Sequence, residues 1–217
     1  MRWQSETMGF MPPDAFIPLF EDNGFIVELD FYMLSSVLEI FQEMVGRGDP
    51  LYPISVNQSR ITLTFPNYLE RLKALVGSFC VPLHLVQLEI TESAMVHDPK
   101  MIYDLTREIK KLGFSIALDD FGVGFSSLNA LRNLPVDVLK IDKGFLKESD
   151  LLGRNQLIIK NIINMSRDLD ILVVCEGVET EDQLAFLKGL CCDVIQGYYF
   201  TRPLPLSECL QAYLSGA

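Results

Sequence analysis

The chain has 217 residues, 49% hydrophobic and 22% charged, which fits a globular protein of one or at most two domains and excludes a disordered one. Eighteen basic against 29 acidic residues leave a net charge of −11, which excludes a basic face for wrapping bulk nucleic acid. No apolar run reaches the roughly 18–20 residues of a membrane span, the opening MRWQSETMGF lacks a signal peptide's pattern, and the five cysteines form no disulfide framework, so a cytoplasmic location is expected.

Two helices are predicted first. One covers about 14–23 and is closed by Gly24; the other covers about 28–45, with Leu29, Met33, Val37, Ile40 and Met44 on one side. No strand is predicted before them. From Pro53 the pattern becomes strand then helix, repeated. Ile54 to Val56 reads as a strand ending at Asn57, and a helix follows with Leu69, Leu72, Leu75, Val76 and Phe79 at helical spacing. Leu85 to Ile90 alternates and reads as a strand. Asp98 caps the next predicted helix, with Pro99 at its first position and Gly113 at its end. Ser115 to Leu118 is a strand running into Asp119-Asp120. The loop FGVGFSS leads to a short helix that stops near Pro135. Strands at 138–141, 171–175 and 194–195 alternate with helices over about 155–169 and from Thr180 to Leu190, and a terminal helix falls near 207–214. The vicinal Cys191-Cys192 reads as helix-end packing.

About six βα units in a row are the signature of a parallel sheet with covering helices. A closed (β/α)₈ barrel needs eight strands and typically about 250 residues. The expected fold is therefore α/β, a modified TIM-type barrel lacking about its first two strands. An open doubly wound sheet is the rival, but its GxGxxG fingerprint is absent.

Polar residues close the predicted strands: Asn57, Glu89, Asp119 with Asp120, Lys140 with Asp142, Glu176 with Glu179, and Gln196. Parallel barrels build active sites at that face. One charged strand end is ordinarily solvated or ion-paired. Several carboxylates buried together need cations. Carboxylates and an amide oxygen are hard donors that suit Mg²⁺ or Mn²⁺. Zinc is disfavoured, because His84 and His97 have no ligand spacing. No GxSxG elbow supports a serine triad. The adjacent Asp119 and Asp120 either span two ions or divide, one facing the barrel and one capping the loop.

The segments MRWQ, MPPDAFIPLFEDNG, ISVNQS, LEITES, ALDDFGVGFSSL, LPVDVLKID, VCEGVET and QGYYFTRPLP together resemble the EAL-domain family, the phosphodiesterases that open cyclic di-GMP. They follow the family's order from Met1 to about Pro205, and the whole chain, 1–217, is expected to be one such domain, incomplete at its amino end. The resemblance implies a modified (β/α)₈ barrel whose strand ends hold two divalent ions. By motif, Asn57, Glu89 and Asp119 would be ligands of one ion, and Asp119 would bridge to a second beside Asp120. Lys140 would orient the attacking water, with Asp142 nearby. Glu176 would be the general base or a second-metal ligand, and Gln196 and Glu179 would line the substrate site. Glu92 resembles the glutamate that steadies the loop after DDFG, and Arg2 the arginine that contacts a substrate phosphate.

The expected product is linear pGpG. Three departures stand out. The Glu-Ala-Leu that names the family, with its metal-ligating glutamate, would directly precede Met1. Val123 and Phe125 stand where threonine and tyrosine are usual, and Cys175 where alanine is common. The readings left open are a metal-dependent phosphodiesterase, a non-catalytic cyclic di-GMP receptor or protein-interaction module, and, more remotely, an acidic-site barrel enzyme using Lys140 as base. A homodimer or an aggregation-prone monomer is expected, because unpaired strand edges invite pairing, and the resemblance leaves room for sensor or cyclase domains upstream.

Overall fold

A computed structural model describes residues 3–7, 9–95, 98–122, 127–146 and 153–215. Six parallel strands lie side by side in chain order: β3 (Ile54–Asn57), β4 (Val86–Thr91), β5 (Ser115–Phe121), β6 (Val138–Ile141), β7 (Leu172–Cys175) and β8 (Val194–Ile195). Sequential order with a helical crossover after nearly every strand gives a parallel half-barrel, in keeping with the expected fold. The covering helices are α4 (Tyr68–Val76), α5 (Pro99–Lys111), α6 (Ser127–Asn133), α7 (Arg154–Asp168) and α8 (Glu181–Gly189), with a terminal α9 (Leu206–Ser215).

The central strands are apolar because both of their faces are covered. Val86, Leu88 and Ile90 of β4, Ile116 and Leu118 of β5, and Leu139 and Ile141 of β6 are fully buried. The helix starts follow their side chains. Asp98 accepts the Met101 amide at 2.9 Å ahead of Pro99, and Thr180 with Gln183 forms a capping box on α8. Two aspartates set register. Asp137, just before β6, accepts the Ile116 amide of β5 at 2.9 Å, and Asp193, just before β8, accepts the Val173 amide of β7 at 2.9 Å.

The amino end differs from expectation. A short antiparallel hairpin of β1 (Trp3–Ser5) and β2 (Gly9–Met11) precedes the helices. Three-residue strands are too short to show a period of two in sequence. Trp3 packs edge-on against Phe16 of α1 (Pro13–Asp22), ring centroids 5.6 Å apart, which holds the hairpin to the helical layer. The long α2 (Ile26–Arg47) buries Phe31, Leu34, Leu38 and Phe41 against the sheet and ends at Gly48 in the left-handed region, φ 72°. The helix predicted after β3 is α4, and a short unpredicted α3 (Arg60–Leu63) precedes it, separated from it by Pro66 and by Asn67 at φ 61°.

Candidate active site

Parallel pairing, with a register shift in β5 between Leu118 and Phe121, puts the carboxyl ends of β4 to β7 at one end of the sheet. Glu89, Asp119 and Lys140 project there from adjacent strands, and Glu176 follows the last residue of β7. Lys140 Nζ lies 2.5 Å from Glu89 Oε1, 2.6 Å from Glu176 Oε1 and 3.4 Å from Asp119 Oδ1. Four residues spread over nearly ninety positions thus meet at one ammonium group. Lys140 and Glu89 are buried, at 8% and 4% exposure.

The electrostatics follow from that burial. Desolvation works against the Lys140 ammonium, but the field of Glu89, Asp119 and Glu176 outweighs it and holds the lysine pKa above its ordinary value. Burial raises the Glu89 carboxyl above the usual carboxylate range, even against Lys140. Asp120 is raised too, by burial first and then by Asp119, Asp142 and Glu176. Its backbone is left-handed at φ 55°, and its amide donates to Asp119 Oδ1 at 2.9 Å. That turn points successive aspartates away from a regular pleat.

The other sequence candidates divide. Asn57 pairs in register with Glu89 and lines a cavity of about 490 Å³ together with Glu89, Lys140 and Gln196. Ser55, two residues before Asn57 on the same strand face, lines the cavity and donates its hydroxyl to Gln87 Oε1 at 2.9 Å. It was missed in the sequence, although the polar alternation of Ser55 and Asn57 in ISVN is its signal. Asp142 accepts the Gly144 amide at 2.7 Å and so shapes the turn after β6. Glu179 is exposed; its backbone amide, donating to Gln183 Oε1 at 2.7 Å, anchors it to α8. Glu92 is buried in the turn after β4. The loop it would steady, Val123 to Ser126, lies outside the described residues, as does Arg2. A more open concavity of about 630 Å³ lies between α4 and α5, away from the lysine cluster.

Glycines fix the turn that carries Glu176 and Gln196. Gly197 approaches the Val178 backbone so closely that a Cβ would collide with it, and Gly177, at φ 72°, lies against Lys143 in the same way. The turn closes with the Val178 amide donating to the Gln196 carbonyl at 3.1 Å and the Tyr199 amide to the Val178 carbonyl at 2.9 Å.

A second polar network, also missed in the sequence, holds the segment after β3. Asp30 of α2 accepts the Ser59 amide at 2.8 Å and the Thr62 hydroxyl at 2.6 Å, both on Oδ2. Ser59 donates its hydroxyl to Glu21 Oε1 at 2.7 Å, and Tyr68 donates to Gln58 Oε1 at 2.9 Å. Gln58 in turn donates to the Asn57 carbonyl. The backbone that carries Asn57 is therefore tied to both α1 and α2.

The oxygen donors of Asn57, Glu89, Asp119 and Glu176 are hard ligands of the kind Mg²⁺ and Mn²⁺ take. Among the described residues, no three His, Cys, Asp or Glu side chains converge closely enough to hold an ion, and the Lys140 ammonium draws the carboxylates together instead. The donor set fits a hard divalent ion in kind. Lys140 is the group that must yield carboxylate oxygens to it.

Comparison with known proteins converges on one family. The model of the EAL domain matches residues 1–203. The cyclic di-GMP phosphodiesterase NbdA of Pseudomonas aeruginosa is 36% identical over 216 residues, covering 98% of this chain and 28% of that protein. The bifunctional diguanylate cyclase/cyclic di-GMP phosphodiesterase MucR of the same organism is 33% identical, covering 97% of this chain and 31% of that one. The chain thus spans roughly a third or less of these relatives. Among solved structures, the MucR phosphodiesterase in complex with cyclic di-GMP superposes with a TM-score of 0.89 at 31% identity, over 96% of this chain and 84% of that one. An EAL domain protein of Listeria monocytogenes superposes at 0.86 with 30% identity, over 99% of this chain and 83% of that one. No described helix is long and apolar enough to cross a membrane.

Proposed function

The chain belongs to the EAL-domain family, and on that footing we propose that it serves cyclic di-GMP signalling as a divalent-metal-dependent phosphodiesterase that opens the cyclic dinucleotide to linear pGpG. The observation that carries this reading is the meeting of Glu89, Asp119 and Glu176 on Lys140 at the ends of adjacent parallel strands. We take residues 1–217 as a single domain of this kind.

The product carries a 5′ phosphate, so water adds to phosphorus and the bond from phosphorus to the 3′ oxygen breaks. Asn57, Glu89, Asp119 and Asp120 would hold Mg²⁺ or Mn²⁺, and Glu176 would complete the set. A bound ion of this kind neutralises phosphoryl charge and lowers the pKa of water. Lys140 orients the attacking water and stabilises charge gathering on the phosphoryl oxygens. Glu176, 2.6 Å from that ammonium, would take the water's proton. Gln196, Asp142, Glu179 and Arg2 are assigned to the substrate. The Gly177 and Gly197 turn keeps Glu176 and Gln196 at a fixed separation.

One observation favours a second reading. Lys140 already offsets part of the carboxylate charge, so the site has a partial internal counter-charge of its own. A cyclic di-GMP receptor or protein-interaction module would need no more. Incubation with cyclic di-GMP and Mg²⁺ or Mn²⁺, followed by chromatography, tests the first reading: pGpG is expected. Binding by calorimetry without pGpG would replace it with a receptor, and neither binding nor turnover with an interaction role.

A further inference from the structure

Away from the lysine cluster, on the other face of β7, two thiols lie together. Cys175 is the last residue of β7 and is fully buried. Its thiol lies near that of Cys192, which stands in the turn between α8 and β8, and the two perturb each other's ionisation. The backbone explains the meeting. Asp193 accepts the Val173 amide at 2.9 Å, and the Cys192 sulfur lies 3.7 Å from the Val173 carbonyl oxygen and 3.4 Å from that of Val194. Val173 and Cys175 are two apart on one strand and share a face, so a side chain laid over Val173 reaches Cys175. Both ends are pinned: the Cys192 amide donates to the Leu187 carbonyl at 3.1 Å, and the Gln196 amide to the Cys175 carbonyl at 2.9 Å. Cys192 is partly exposed, whereas the neighbouring Cys191 is exposed, with its backbone left-handed at φ 53°.

We propose that Cys175 and Cys192 are a reversible oxidation site, in which a hydroperoxide converts the neighbouring thiols to an intrachain disulfide. A disulfide needs its sulfurs brought to about 2.05 Å and its Cβ atoms to about 3.5–4.5 Å, and the Cys192 sulfur, held against the Val173 and Val194 carbonyls beside the end of β7, is positioned for that approach to Cys175. The chemistry balances with one hydroperoxide. The accessible Cys192 sulfur, as thiolate, attacks a peroxide oxygen; the O–O bond breaks, an S–O bond forms, and hydroxide leaves to take a proton as water. The Cys175 sulfur then attacks the Cys192 sulfur. The S–S bond forms, the S–O bond breaks, and the departing hydroxide takes the Cys175 proton as a second water. The two thiols lose two electrons, and hydrogen peroxide gains them. The bond ties the end of β7, next to Glu176, to the approach of β8. It encloses α8 and the turn of Gly177 in a covalent loop.

The site does not depend on the phosphodiesterase reading, and its test reads no turnover. The folded chain is treated with hydrogen peroxide, quenched in acid, alkylated, digested and examined by mass spectrometry, beside C175A, C191S and C192S. Wild type and C191S are expected to lose two alkylatable cysteines and to yield one dithiothreitol-sensitive cross-link between the peptides carrying residues 175 and 192. C175A and C192S are expected to yield none; the partly exposed Cys192 makes C192S the arm least able to disturb folding. Five alkylatable cysteines in oxidised wild type, a Cys191-Cys192 link, or Cys192 sulfinic acid without a cross-link would each overturn the proposal.

Discussion

Glu89 at the end of β4 and Asp30 within α2 are both acids with less than a tenth of their surface in water. Burial raises the pKa of each. They are compensated differently. Glu89 faces the Lys140 ammonium at 2.5 Å, whereas Asp30 is held by two neutral donors, the Ser59 amide and the Thr62 hydroxyl. A charge held by another charge can exchange that partner for a cation or a phosphate. A charge held by the backbone amide of the next segment cannot be exchanged without moving the segment. The first arrangement suits chemistry, and the second suits a scaffold that keeps Asn57 in register beside Glu89.

The largest expected effect comes from removing the charged partner. Lys140→Met leaves Glu89 buried beside Asp119 with no cation, which should cost about 3–5 kcal/mol in urea unfolding. Pairing it with Glu89→Gln removes the stranded charge, and the double variant should be more stable than the single one. Equal stability of the two would show that charge is not what the lysine contributes. Turnover of cyclic di-GMP should fall on the order of 10²-fold or more in Lys140→Met, as loss of a charge-stabilising donor does.

Asp30 should respond to pH instead. Its carboxyl is raised from 3.8 to about 6, first by burial and then by the nearby Glu21, against the Thr62 and Ser59 hydrogen bonds. The folded state therefore binds the proton more tightly than the unfolded state, so stability from this group falls as pH rises from about 4 to about 6. The change is about 3 kcal/mol. Both hydrogen bonds fall on one oxygen, which an asparagine carbonyl can replace. Asp30→Asn should remove this part of the pH dependence and leave stability at pH 7 unchanged or higher. Urea midpoints of the two proteins across pH 4–7 decide it: parallel curves would mean that Asp30 titrates normally.

The βα rhythm was legible because buried parallel strands are written as short apolar runs closed by polar residues. VQLEI, SIALDD and VLKID each show both the strand and the group it delivers. Lys140 was visible as a strand-end residue, yet nothing in the sequence said that three carboxylates would close on it. Those contacts depend on the relative placement of four strands. Asp30 was invisible for a related reason. In a helix read for its apolar stripe, one acid looks like a solvated position, and only the packing of α2 on the segment after β3 buries it. The hairpin before α1 was hidden by its brevity. Cys192 was read as packing because its partner, Cys175, stands one strand away.

Backbone fit offers a smaller effect on the same turn. Gly197→Ala places a methyl against the Val178 backbone, a contact no side-chain movement relieves. A loss of about 1–3 kcal/mol is expected, with turnover reduced because Gln196 and the Glu176 segment shift together. Thermal melting with a parallel activity assay checks it, and an unchanged melt would mean that the turn is loose.

The smallest effect sharpens the comparison from the solvent side. Arg71 of α4 binds both carboxylate oxygens of Glu28 in α2, at 2.7 and 2.6 Å, and its guanidinium lies 4.1 Å over the Phe31 ring. By geometry alone this pair is at least as good as the one between Lys140 and Glu89. Its side chains, however, are 36% and 58% exposed, so water and salt screen the attraction and little desolvation has to be offset. A double-mutant cycle with Arg71→Met and Glu28→Gln should give a coupling of about 0.2–1 kcal/mol that shrinks in high salt. The cycle on Lys140 and Glu89 should give several times more and keep it. Similar couplings at both places would mean that burial does not set the strength of the lysine cluster.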